Sequence, residues 1–153
     1  MPITSLLGSN LPVTGLLLQV GNAASPETMN TIANATDLTI PVIADVVDVT
    51  NLGDTFHRRA ATLGDMGKIT FKIFWIPEEP THRNSLGGGT VGAGLRYLLI
   101  NRLKRDFQFV YPDGNLSTDA FPAYVTMFSI SAKTGGVFEA QVELSNDGQP
   151  QLV

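Results

Sequence analysis

The chain has no cysteine among its 153 residues, one tryptophan, two histidines and only 16 % charged residues. Without cysteine there are no disulfides, thiolate nucleophiles or cysteine metal sites. The charged fraction falls below the roughly 25 % of an ordinary soluble domain. Hydrophobics, at 43 %, are ordinary, so neutral Thr, Ser, Asn, Gln and Gly fill the gap. That suits a subunit largely covered by neighbours, because interface cores are depleted in charge; a monomer with a Thr/Asn-rich β surface has the same composition. A formal net charge of −4 argues against wholesale attraction to nucleic acid. No apolar run approaches the ~20 residues of a membrane helix. Residues 1–10 lack the basic start and long apolar core of a signal peptide. The expected setting is a reducing compartment, or export from one inside an assembly, with no membrane insertion.

The length is that of a single domain, 1–153, opening with an arm over residues 1–12. Short strands are expected at 16–20, 28–32 and 36–40, and a β-branched strand at 42–50. Residues 51–66 carry Gly53, Gly64 and mixed charge without sustained alternation, which reads as a long mobile loop with a short piece of structure near 56–60. In 68–76 the residues Ile69, Phe71, Ile73 and Trp75 share a core-facing side opposite Lys68, Thr70 and Lys72. Val91, Leu95, Leu98, Leu99 and Leu103 form an apolar stripe at helical spacing, which predicts one helix over about 91–104. Thr90 is its cap, and Arg102, Lys104 and Arg105 sit at its C-terminal end. A strand at 106–111 stops at the Pro112-Asp113-Gly114 turn. These elements give a mainly β fold, a sandwich or barrel of about seven to eight strands with one flanking α-helix.

The segment 120–144 reads as two long strands joined by the Lys133-Thr134-Gly135-Gly136 turn. In the second, Phe138, Ala140, Val142 and Leu144 share one face, and Glu139, Gln141 and Glu143 the other. The first does not alternate: Phe121, Ala123, Val125 and Met127 line one side, Tyr124, Phe128 and Ile130 the other. A strand apolar on both sides needs a second covering surface, most simply another copy of the chain, so Tyr124, Phe128 and Ile130 are the expected inter-subunit packing residues.

No catalytic constellation emerges. Glycines 87–89, 92 and 94 precede the helix, but the Gly-Lys-Ser/Thr of a phosphate loop is missing. His57 and His82, with Asp54, Asp65, Glu78 and Glu79 nearby in sequence, lack metal-ligand spacing and read as surface loop histidines. No Gly-Xaa-Ser-Xaa-Gly elbow is present, and the adjacent Glu78 and Glu79 do not converge on one substrate. The basic residues among 96–105, with Tyr97 and Phe107 beside them, read as a solvated helix face or as partners for a neighbouring subunit's carboxylates. No catalytic residue, metal or cofactor is expected.

Three segments in order carry a resemblance: Asp-Val-Thr-Asn at 48–51, Gly-Lys-Ile-Thr-Phe at 67–71 with Pro-Glu-Glu-Pro-Thr-His at 77–82, and the hairpin FPAYVTMFSISAKTGGVFEAQVEL at 121–144. Together they resemble the tail tube (major tail) proteins of long-tailed bacteriophages over about residues 38–150. Some relatives append an immunoglobulin-like domain, which is not expected here. The resemblance implies a structural virion protein, assembled in the bacterial host cytoplasm, that forms hexameric rings stacked into a hollow tail tube. Double-stranded DNA passes through without specific binding, and tape-measure and terminator or tip proteins are the further partners. It also implies that 51–66 orders on stacking, so that Asp54, Thr55, Phe56, His57, Arg58, Arg59 and Asp65 contact the next ring. A lumen that must release DNA is expected to be neutral to acidic, since basic contacts add affinity through counterion release; Glu139, Gln141 and Glu143 are the lumen-facing candidates. The alternatives are a tube subunit of a contractile injection or secretion system, a β-sandwich module binding sugars or peptides, and, third, an enzyme.

Overall fold

The computed structural model describes residues 15–23, 27–32, 34–82 and 94–152. Among these residues nine strands and one helix follow in order: β1 Leu17–Gly21, β2 Met29–Thr31, β3 Ala35–Thr39, β4 Ile43–Asp48, β5 Arg59–Asp65, β6 Lys68–Phe74, α1 Leu95–Asn101, β7 Lys104–Val110, β8 Thr118–Ser131 and β9 Glu139–Asn146. Seven strands form one antiparallel sheet in the order β2-β1-β7-β8-β9-β6-β3, and β4 pairs only with β5. The expected N-terminal arm, Thr90 and most of the glycine-rich run lie outside the described residues.

β2 and β3 sit on opposite edges of the sheet although Thr31 and Ala35 are four residues apart. Four residues reach at most ~14 Å, whereas six strand spacings in a flat sheet cover ~29 Å. The sheet must therefore roll until its edges approach. β8 makes this possible: its first half, Thr118–Tyr124, pairs with β7, and Ala123–Ser131 pairs with β9. Two half-sheets thus share one strand, and the core fills the space between them, as in a sandwich whose strands change sheets at bulges. Leu18, Val20, Ile69, Phe71, Ile73, Phe107, Phe109, Phe121, Val125, Val142 and Leu144 are buried there, joined by Leu95 and Leu98 of α1.

The bulge in β8 corrects the expectation of a strand apolar on both sides. Val125 lies opposite Leu144, but Met127 lies opposite Glu143 and Phe128 opposite Val142, so Thr126 is the extra residue. Directly opposed residues share a face. Phe128 and Ile130 therefore fall on the same side as Val125, and Tyr124 on the other with Met127. Phe128 packs edge-on against Trp75, with ring centroids 5.2 Å apart. One extra residue shifts the phase of the alternation by one, which makes a half-buried strand look buried on both faces.

Two other sequence expectations change. Residues 59–65, read as loop, form β5 paired with β4. The helix stops at Asn101, because Arg102 adopts a left-handed conformation and its N–H bonds back to the carbonyls of Leu98 and Leu99. Lys104 and Arg105 consequently belong to β7 rather than to the helix end.

Candidate functional site

Two surfaces stand apart from the core. The first is the β4–β5 ribbon, an arm spanning residues 42–65. Every residue in it is exposed except the half-buried Asp54, although it carries Val42, Ile43, Val46, Val47, Val49, Leu52, Phe56 and Leu63. Its foot is fixed by Gly67, whose φ of +63° turns the chain into β6 and where an added Cβ would come within 3.2 Å of Pro41 Cγ. A ladder of about seven residues a side extends ~23 Å, and a lone two-stranded ribbon is at best marginally stable in water. The β-branched residues of β4 supply strand propensity and Ala60 and Ala61 oppose them, but among the described residues the apolar groups stay exposed.

The tip is braced rather than slack. The Asp48 carboxylate accepts from the Thr50 amide at 2.9 Å and from its hydroxyl at 2.5 Å, and these bonds hold its pKa below the ordinary value. The Arg58 amide donates to Thr50 Oγ1 at 2.8 Å, the Asn51 amide to Asp54 Oδ2 at 2.9 Å, and the Gly53 amide to Asn51 Oδ1 at 2.9 Å. Arg58 reaches Asp54 at 3.7 Å, and His57 Nδ1 lies 3.9 Å from Asp48. Asp54, Thr55, Phe56, His57 and Arg58 thus meet in one exposed tip, Arg59 begins β5, and Asp65 sits at the arm's foot.

The second surface is the outer face of the β6–β9 half-sheet. Glu139, Gln141 and Glu143 lie opposite Phe74, Lys72 and Thr70, with Ser131, Ser129 and Met127 on their other side. Lys68 Nζ is 3.2 Å from Glu143 Oε2. Lys72 lies on the same face opposite Gln141, so two lysines match two glutamates and the face is neutral, within the neutral-to-acidic range expected of it. Phe138, expected on the core face, is 57 % exposed at the end of the sheet beyond the core. Phe128 and Ile130 point away from this surface and Tyr124 towards it, so the three expected packing residues are not brought together.

The two histidines separate. His57 is exposed on the arm. His82 is fully buried and not a surface residue: its Nδ1 accepts from the Ile76 amide at 3.3 Å, and its ring stacks on Trp75 with centroids 6.2 Å apart. The Leu95 amide donates to the Thr81 carbonyl at 2.9 Å, which ties this turn to the start of α1. His82 is a structural pin, a role that isolated histidines in a sequence do not announce. The Tyr111 hydroxyl donates to Asp119 Oδ2 at 2.6 Å across the β7–β8 connection, and burial, then this bond, raise its pKa to about 12. Among the described residues no three His, Asp or Glu side chains converge on a point that could hold a metal, and no helix is long and apolar enough to cross a membrane.

No protein-family model and no curated protein matches the chain. Solved structures do. A chain from the tail of an empty gene transfer agent particle, refined helically with C6 symmetry, superposes with a TM-score of 0.70 at 15 % identity, over 94 % of this chain and 99 % of that one. The sheath/tube terminator structure of an extracellular contractile injection system in its extended state gives a TM-score of 0.60 at 15 % identity, over 93 % of this chain and 96 % of that one. The SPP1 tail tube gives 0.61 at 10 % identity, covering 90 % and 77 %. At such identities the likeness is one of fold, in keeping with the mainly β architecture expected from the sequence.

Proposed function

We propose that this chain is the structural subunit of a phage tail tube: six copies form a ring, rings stack, and double-stranded DNA travels through the hollow core. The observation that carries this reading is the exposed apolar arm, borne on a fold that recurs in helical, six-fold tail structures. Subunits that contribute the same projecting element to a neighbour generate rings or filaments. The work is geometric rather than catalytic, done in the virion tail after assembly in the host cytoplasm, with tape-measure and tip or terminator proteins as further partners. A tube of a contractile injection system is the second reading, favoured by the fold match to such a machine. Concentrated protein viewed by electron microscopy is expected to contain uniform hollow tubes with six-fold end views. A monodisperse monomer at every concentration would remove both readings in favour of a binding module.

Within this reading the arm tip contacts the next ring, and Tyr124 and Ile130, exposed on opposite faces of β8, are what the expected packing set leaves for a neighbour to cover. Glu139, Gln141 and Glu143 line the channel. Their face is neutral overall, which serves sliding as well as an acidic wall does, because no excess of cations grips phosphate. Glu139→Lys with Glu143→Lys turns it strongly basic. The expected result is intact tubes with slowed or stalled DNA delivery; intact tubes with unchanged delivery would put this face outside, and loss of tubes would mean that the Lys68–Glu143 pair serves assembly.

A further inference from the structure

One side of the arm matches one side of α1 in both apolar character and charge. Ile43 and Val47 lie on a single face of β4, with Asp45 between them and Asp65 directly opposite Ile43. Ile43 is 54 % and Val47 48 % exposed. Among the described residues neither Asp45 nor Asp65 has a cation within salt-bridge distance, unlike Asp48 and Asp54 at the tip. On α1, Leu95 and Leu98 face the core, whereas Arg96 and Ile100, one turn apart, face outward, with Arg102 just past them. Ile100 is 56 % exposed. Arg96 lies over the Trp75 ring at 5.9 Å, but among the described residues neither it nor Arg102 meets a carboxylate. An apolar pair flanked by two uncompensated anions therefore has a counterpart in an apolar residue flanked by two uncompensated cations.

We infer that the Ile43/Val47 face of the arm docks on the outward side of α1 of a second copy of this chain, pairing Asp45 and Asp65 with Arg96 and Arg102. Among the described residues the arm's own body offers no such partner, since every residue of 42–65 except Asp54 is exposed. The contact is heterologous, each copy giving an arm and receiving one, which is what open or ring-closed polymers require. It rests on the proposed self-assembly and names the surface that receives the arm.

Charge exchange tests it. Asp45→Lys with Asp65→Lys, and separately Arg96→Glu with Arg102→Glu, are each expected to raise the concentration needed for assembly more than about tenfold, because like charges then face each other. All four changes in one chain should restore assembly. Unchanged assembly in either double variant, or no rescue by the quadruple one, overturns the pairing. Since Arg96 also touches Trp75, a second measurement stands apart from folding. The chain has no cysteine, so chains bearing Val47→Cys mixed under oxidising conditions with chains bearing Ile100→Cys should give a disulfide-linked dimer. Val46→Cys, on the other face of β4, should not. Equal or absent products from the two mixtures overturn the contact. Crosslinking needs only a pairwise encounter, so it reads the contact even if wild-type protein forms no tubes, an outcome that would sink the tube reading by itself.

Discussion

Replacing residues 43–65 by a short glycine-containing turn is expected to leave a folded, soluble protein that forms no tubes at any concentration. Ile43 and Asp65 are opposed across the ladder, so the two ends to be joined are neighbours and the excision leaves no gap. Nothing in the core is lost, because the core cluster contains no residue of 43–65: it runs up to Ile40 before the arm and resumes at Met66 after it. The thermal or denaturant midpoint should stay near that of the intact chain, and the m-value should fall only by the arm's small contribution. Sedimentation and electron microscopy provide the test. Ordinary tubes from the excised protein would show that the arm is an ornament; an unfolded product would show that it stabilises the body in a way its exposure does not reveal.

The second large effect belongs to Phe128. With the bulge at Thr126, Phe128 faces the core and Trp75, so Phe128→Asp loses an aromatic contact and drives a carboxylate against apolar surface. The expected cost is on the order of 3 kcal/mol or more, set against total stabilities of about 5–15 kcal/mol for a domain. Tyr124→Asp, on the opposite face, should cost about 1 kcal/mol or less. Urea midpoints of the two variants decide the matter. Equal costs, or the reverse order, would mean that β8 runs without a phase shift.

That phase shift is also the clearest limit on what the sequence makes legible. Strands whose apolar residues alternate without interruption, such as β6 and β9, declare themselves. Ile69, Phe71 and Ile73 and Ala140, Val142 and Leu144 are buried as their spacing implies. Alternation counts residues, though, and a bulge spends one residue without advancing the register, so everything beyond Thr126 lands on the wrong face. β5 escapes notice for another reason. Arg59–Asp65 holds two alanines, a glycine and an aspartate, poor strand formers that are strands only because β4 pairs with them. The α1 boundary turns on Arg102, a non-glycine residue at φ +55°, which no stop signal marks. Of the candidate site, the tip is legible from the length, glycines and mixed charge of 51–66, whereas nothing in 42–50 says that this strand projects with it. Its apolar exposure was not, because Val, Ile and Leu read as core until a structure leaves them uncovered.

β8 runs through both halves of the molecule, fourteen residues of backbone bonded to β7 along one stretch and to β9 along the next. There is accordingly no seam at which the halves could part side chain by side chain. A load along this strand falls on many backbone hydrogen bonds at once, in shear, instead of opening them one after another from an end. The same continuity ties loosening of either half to the other, so the body yields as one cooperative unit. A wall built from such units is stiff within each subunit and compliant, if anywhere, at the contacts between them.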